Sequence, residues 1–411
     1  MLLSRRLLIP ICQSSIRPPT KFQSLFRGPS RTQVRSLVIG MATADPPPSA
    51  FGSGTMEKGT LEGSIDAQST LQTEEQKWKP RFVDIGINLT DPVFTGIYHS
   101  QPRHEDDLSA VVQRAIDIGC EKLIVTGSDL EHSETAVKLA EKYPNTCYAT
   151  IGVHPCNAQS LTTDTFSALK TLAQTSIKAN IAVAFGEIGL DYDRLELCPK
   201  DIQLTAFSQQ LSLAVDLQLP LFLHSRAAHA DFLRLLSEHE DRLPKRGVVH
   251  SFTGSVEEMQ ELVASGWHIG VNGCSMKTEE NCAVVKEIPL DKLHLETDGP
   301  WCEIRPSHAS SVILNKMRED LGLAPNAKEK GAAKGGKSEN VQEDPGMGWG
   351  GWKSVKKEKW VEGVVVKGRN ESCFIGRVAW AVAGIKGLTV QEVAEAAWKN
   401  SVTMFGLGVT L

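Results

Sequence analysis

From residue 81 onward the chain alternates between short apolar, β-branched runs and longer stretches of helical period. The runs lie at 81–88 (RFVDIGIN), 122–127 (KLIVTG), 147–153 (CYATIGV) and 181–187 (IAVAFGE). Four more follow at 219–224 (LPLFLH), 246–250 (RGVVH), 267–272 (WHIGVN) and 293–297 (LHLET). Between them, "DLSAVVQRAIDIGC", "SETAVKLAEKY", "DIQLTAFSQQLSLAVDLQ" and "SVEEMQELVASG" repeat their apolar residues with the period of a helix. Cap signals open two of these: Ser133 before Glu134, and Ser255 before Glu257 and Glu258. Eight strands alternating with helices predict a (β/α)8 barrel, in the α/β class. The competing architecture, a doubly wound open sheet, calls for a glycine-rich phosphate loop after the first strand. "GINLTD" does not supply one.

The pattern also marks where the fold stops. Residues 1–40 are rich in Arg and Ser and free of acid, the composition of a mitochondrial transit peptide. Met41 offers a second start that removes this segment, giving a cytoplasmic or nuclear form. Residues 41–78 read as a disordered linker rich in Pro, Gly, Ser and Thr, with order beginning near Lys79 and continuing to residue 411. Residues 323–368 interrupt the alternation as a disordered, Lys- and Gly-rich insertion carrying Trp349, Trp352 and Trp360. Such a segment serves either as a nucleic-acid clamp, with Lys for phosphates and Trp for stacking, or as a solvated loop. Helix resumes near 373–384, and "TVQEVAEAAWKNSVTMFG" makes the last helix.

Composition narrows the class. The 411 residues are 41% hydrophobic and 23% charged, as in soluble globular proteins. No run of 18 apolar residues is present, so no membrane partner is expected. The nine cysteines are scattered without a C-x-x-C pair, which fits a reducing compartment better than a disulfide framework. The net charge of −5 hides an asymmetry, because residues 1–44 contribute seven basic residues and the remainder therefore carries −12. An acidic body is unsuited to simple phosphate-backbone binding. A nucleic-acid substrate would need cations to supply positive charge locally. A monomer is expected.

Reactive groups of a barrel collect at the C-terminal ends of its strands. There the sequence places His154 after the third strand, Glu187 at the end of the fourth, His224 at the fifth, His250 at the sixth and Asp298 after the eighth. One such residue is unremarkable, and five on one rim are a constellation. Imidazole nitrogens and carboxylate oxygens bind divalent cations. A bound cation lowers the pKa of its water from about 15.7 toward 7. Asp298 is placed to take the proton of that water, and Glu187 is able to bridge two cations. Metal-assisted hydrolysis follows, with Asp298 and Glu187 as catalytic candidates. His154 and Arg226 are candidates to contact a phosphate; His154 is equally suited to hydrogen-bond a metal ligand from behind, and Arg226 to a salt bridge under the rim. Asp191 is a candidate partner for a ligand histidine. Glu371 either lines the site or caps structure. His99, His104, His229 and His308 read mostly as surface residues.

These residues sit in segments that resemble the TatD-related deoxyribonucleases, within the amidohydrolase-like metal-dependent hydrolases. The segments are "DIGINLTD" (84–91), "IGVHP" (151–155), "GEIGLDYDR" (186–194), "PLFLHSR" (220–226), "VVHSFTG" (248–254), "ETDGPW" (296–301) and "RNES" (369–372). "GIYH" (96–99), "CPKDIQ" (198–203) and "RPSHAS" (305–310) are similar to the eukaryotic nuclear or mitochondrial type. The resemblance implies metal ligands at Glu187, His224, His250 and Asp298. It also implies Mg²⁺-dependent 3′→5′ exonuclease action on single-stranded or frayed DNA, and links to DNA repair and to DNA fragmentation in cell death. Many relatives in the wider superfamily carry H-x-H on the first strand, where this chain has Gly86 and Asn88. Asn88 can offer only a neutral oxygen, and it is a candidate to contact substrate. With fewer nitrogen donors, one or two Mg²⁺ or Mn²⁺ ions are favoured over a tightly held Zn²⁺ pair. The alternative function is a small-molecule amidohydrolase or lactonase on the same barrel. A non-catalytic binding protein would need a broken ligand set, and the set is intact.

Overall fold

In the computed structural model the chain is described at residues 78–243, 245–320 and 351–408. The expected transit peptide and nearly all of the expected linker lie outside these residues. Eight parallel strands form one sheet in chain order: β1 Phe82–Ile87, β2 Cys120–Val125, β3 Cys147–Ile151, β4 Ala182–Asp191, β5 Leu221–Arg226, β6 Gly247–Val249, β7 His268–Val271 and β8 Leu293–Leu295. Helices α1 Leu108–Asp117, α2 Leu130–Lys142, α3 Thr163–Lys178, α4 Lys200–Leu217, α5 His229–Ser237, α6 Val256–Ala264 and α7 Glu279–Glu287 alternate with them. This is the expected (β/α)8 barrel. Every residue of β1 and of β4 is buried, because a parallel sheet is covered on both faces.

The seam between β8 and β1 closes through the chain just beyond β8. Asp298 N–H donates to the Gly86 carbonyl at 2.8 Å, and Asn88 N–H donates to the Gly299 carbonyl at 2.8 Å. Asp84 adds its carboxylate, accepting from Thr297 N–H at 2.9 Å and from the Ser372 hydroxyl at 2.7 Å. The seam therefore also holds Asp298 in place.

Past β8 come α8 Ala309–Asp320, α9 Ile375–Lys386 and α10 Val390–Phe405. Among the described residues no single helix is long and apolar enough to cross a membrane. Trp398, Val402 and Phe405 of α10, with Leu407 beyond it, pack against Val83, Ile85, Ile124, Val183, Phe222 and Val248 on the strands. They fill one end of the barrel interior and leave the C-terminal mouth as the open end. Truncating Phe405 to Ala should cost about 3–5 kcal/mol through the cavity left behind. Before β1, Arg81 pairs with Glu395 of α10 at 2.6 Å and Trp78 Nε1–H donates to the same carboxylate at 3.0 Å.

Local signals mostly hold. Ser255 makes a full capping box with Glu258, and Thr389 makes another with Glu392. Ser133 does not cap. Helix α2 starts earlier, with the Asp129 side chain accepting from His132 N–H, while Ser133 is buried inside the helix with its hydroxyl near Gly152. The expected insertion also narrows. Residues 351–368 are packed, with Ser354–Val355 pairing in parallel with Val365–Val366. Trp352 lies edge-on to Phe374 at 6.5 Å, and Trp360 stacks on His104 at 5.1 Å. Both indoles are thus engaged by protein, which weakens the clamp reading for them. Trp349 lies outside the described residues. His308 is buried rather than on the surface.

Candidate metal centre

At the open mouth, one carboxylate oxygen gathers three imidazoles. Glu187 Oε1 lies 2.7 Å from His250 Nε2, 3.0 Å from His224 Nδ1 and 3.4 Å from His154 Nε2. Glu187 is only 7% exposed, so these contacts replace water around its charge. Burial alone would raise its pKa, but the three histidines outweigh burial and hold it well below the usual carboxylate range.

The histidines differ in what their second nitrogen does. His154 Nδ1 accepts the Cys156 backbone N–H at 3.1 Å. Burial pushes its pKa down to about 4, so the ring is neutral and its proton sits on Nε2. His154 is thereby set up as a hydrogen-bond donor pointing at Glu187 rather than as a bare nitrogen ligand. His224 spans two carboxylates, with Nδ1 on Glu187 and Nε2 on Asp191 Oδ2 at 3.2 Å. Burial opposes its charge, yet Asp191 and Glu187 raise its pKa. His250 lies over Phe222 at 4.4 Å between ring centroids, with Nδ1 3.3 Å from Glu296 Oε2. That last pair is buried but poorly aligned for a hydrogen bond.

Glu296 did not figure in the sequence reading, which saw only the end of an apolar run. It is fully buried and accepts from Ser251 N–H and from Asn272 Nδ2 at 3.2 Å. A Cβ added at Gly86 would stand 2.7 Å from Glu296 Oε2. Glycine on the first strand and a carboxylate near the end of the eighth are therefore complementary. The Glu296 side chain fills space that a strand-one side chain would need.

Asp298 has φ +52°, in the left-handed region, with its carboxylate beside the cluster. Its Oδ1 accepts from Asn88 Nδ2 at 2.9 Å and its Oδ2 from the Cys302 thiol at 3.2 Å. Burial, reinforced by Glu296 and Glu187 against His250, pushes its pKa up to about 6. Asn88, expected to touch substrate, spends its amide on Asp298 and on the Gly299 carbonyl. Arg226 is part-buried at the end of β5; its Nε has no partner, and among the described residues it makes no ion pair. Glu371, also expected at the site, is elsewhere. Arg114 and Arg369 occupy both of its oxygens, at 2.8 Å each, and leave none for a ligand.

The donors fit a divalent cation. Two adjacent ligands of an octahedral ion with bonds of ~2.1 Å stand ~3 Å apart. The nitrogens around Glu187 Oε1 are spaced close to that. Among the described residues, two groups have all donor atoms within 4.8 Å of one another: His154–Glu187–His224 and His154–Cys156–Asp191. His250 and Asp298 belong to neither. Cys156 is the member that sequence spacing did not suggest.

Comparison with known proteins agrees with this chemistry. The family model described as "TatD related DNase" matches residues 83–406. The chain is similar to the "Deoxyribonuclease Tat-D" of Schizosaccharomyces pombe, with 44% identity over 332 residues, covering 79% of this chain and 95% of that protein. It is similar to the "3'-5' ssDNA/RNA exonuclease TatD" of Erwinia amylovora, with 31% identity over 327 residues, covering 79% and 99% respectively. Among solved structures, an uncharacterized amidohydrolase from Saccharomyces cerevisiae matches with a TM-score of 0.67 and 33% identity, over 79% of this chain and all of that one.

Proposed function

The chain belongs to the TatD-related DNase family, and from that membership we propose a divalent-cation-dependent deoxyribonuclease that shortens single-stranded or frayed DNA from the 3′ end. The observation that carries the reading is the Glu187 carboxylate ringed by His154, His224 and His250, with Asp298 beside it. The 3′→5′ direction and the single-strand preference lean on the name that the Erwinia relative carries.

Glu187, His224, His250 and Asp298 would hold the cation, with Mg²⁺ or Mn²⁺ preferred because oxygen donors weigh heavily in the set. When bound, the cation would supply positive charge against the phosphate and a water of lowered pKa. Asp298 would accept the water proton, which it can do only when ionised; burial raises its pKa to about 6 in the cation-free protein and a bound cation would lower it. The neutral Nε2–H of His154, 3.4 Å from Glu187 Oε1, would be shared with a phosphate oxygen. Arg226 has an unpartnered guanidinium nitrogen for the same task. Cations at the mouth also answer the objection raised by an acidic body. Before import, we propose, residues 1–40 direct one form to mitochondria, while a start at Met41 leaves a nuclear or cytoplasmic form. A fusion of residues 1–45 that stays diffuse in the cytosol would remove the import half.

The nuclease reading is tested with the full chain on 3′- and 5′-labelled single-stranded DNA, in Mg²⁺, Mn²⁺ or EDTA. Cation-dependent shortening from the 3′ end supports it. Intact DNA under every cation, from folded protein, defeats it.

A further inference from the structure

Two thiols face each other against Asp298. Cys274 opens the turn after β7 and Cys302 lies in the turn after β8, on neighbouring parallel strands. The turns approach closely because Gly273 has no side chain; a Cβ there would overlap the Cys302 carbonyl oxygen. The Cys274 and Cys302 side chains are near enough for each to shift the other's pKa, Cys274 downward and Cys302 upward. Cys302 is held at φ +55° and donates its S–H to Asp298 Oδ2 at 3.2 Å. Cys274 and Cys302 are half-buried residues, whereas Cys120, Cys147, Cys198, Cys282 and Cys373 are buried. Cys156, also part-exposed, is turned toward Asp191 instead.

We propose that Cys274 and Cys302 are an oxidation site: a reversible disulfide between them switches off the metal centre through Asp298, with a low-molecular-weight disulfide as the oxidant. The inference rests on the proposed nuclease function for its consequence, but not for its chemistry. With oxidised glutathione, one cysteine attacks the glutathione S–S bond, forming a mixed disulfide and expelling one glutathione thiolate. The second cysteine then attacks the protein sulfur of that mixed disulfide, forming the Cys274–Cys302 bond and expelling the second glutathione. Two electrons and two protons pass from the protein pair to the two glutathione molecules. The Cys302 sulfur afterwards carries no hydrogen, so Asp298 Oδ2 loses its donor while the two turns become tied. Cys302 is here a positioning residue. In a reducing compartment the pair stays open and the site stays active.

The test equilibrates the full chain across glutathione redox buffers, traps free thiols by alkylation, and maps peptides by mass. DNA hydrolysis and Mn²⁺ affinity are followed in parallel. The expected result is a Cys274–Cys302 cross-linked peptide that appears as hydrolysis falls at least tenfold, with dithiothreitol reversing both. Cys274→Ser should match the unaltered protein when reduced and should not respond to oxidant. Alkylation of both thiols across the whole series overturns the proposal. So does a cross-link that leaves hydrolysis and Mn²⁺ affinity unchanged. If the reduced protein cuts no DNA, the nuclease reading fails on its own, and the cross-link with a weakened Mn²⁺ affinity still decides the switch.

Discussion

Two buried ionic clusters meet near the mouth of the barrel, and they are built on opposite principles. In the first, Arg369 grips Asp107 with both terminal nitrogens, at 2.8 and 2.6 Å, and reaches Glu371 at 2.8 Å. Arg114 completes the ring, at 2.8 Å from Glu371 and 3.3 Å from Asp107. Two guanidiniums meet two carboxylates, each at most 4% exposed, and the charge closes on itself. In the second, Glu187, Asp191, Glu296 and Asp298 face three imidazoles, of which His154 is neutral. Acid outweighs base there, and burial leaves Asp298 with a pKa of about 6. A balanced cluster of arginine, which cannot give up its proton, is architecture. A carboxylate-rich cluster whose bases are titratable is completed by a cation. Asn370 stands between the two, donating its backbone N–H to Pro300 at 3.0 Å and its amide to Thr297 at 2.8 Å.

The sharpest way to separate the clusters is kinetic. Asp298→Asn should lower kcat by about 10²–10⁴ while the protein stays folded, since the proton acceptor is lost. Glu371→Gln should leave kcat per folded molecule within a few-fold. A large loss of kcat in the latter, measured with folded fraction controlled, would break the distinction. Stability should show the reverse. Glu371→Ala leaves two buried guanidiniums short of a partner and should cost about 3–5 kcal/mol by denaturant unfolding. Glu296→Gln should weaken Mn²⁺ binding by about 10–100-fold, because a buried negative charge 3.3 Å from His250 Nδ1 is removed. Calorimetry with unchanged affinity would reduce Glu296 to filler beside Gly86.

Proton linkage gives the smallest effect. Asp298, raised by burial to about 6, is protonated below that pH and cannot accept a proton. A bound cation favours the ionised form, so the midpoint of the kcat profile should lie at or below pH 6, with about a tenfold fall per unit beneath it. His224 and His250 are both raised by their carboxylates, so the cation-free protein keeps their protons to higher pH, and binding must displace whichever are held. Mn²⁺ affinity should therefore weaken as pH falls, and binding heats should depend on the buffer. A kcat profile with no acid fall at any pH where the protein stays folded and cation-bound would contradict the role given to Asp298.

Much of this was legible in the chain because barrel strands deliver their end residues to one rim. His154, Glu187, His224, His250 and Asp298 needed only that rule. Glu296 was not legible, because its meaning depends on Gly86, a residue far back in the chain that matters through space it leaves open. Glu371 misled for the converse reason, since its partners Arg114 and Arg369 converge only after the seam closes. Ser133 carried a cap signal, but Asp129 was near enough to start the helix a turn earlier. The Cys274–Cys302 pair shows no spacing motif, because parallel neighbouring strands rather than local sequence bring the two turns together.

The central claim is that the cluster around Glu187 is a cation site and the arginine ring is not. Mn²⁺ titration of the full chain by electron paramagnetic resonance tests it most directly. Saturable binding is predicted, lost in Glu187→Gln and in His224→Ala and kept in Glu371→Gln. Absence of binding in the unaltered protein, or binding that survives Glu187→Gln unchanged, would contradict the account.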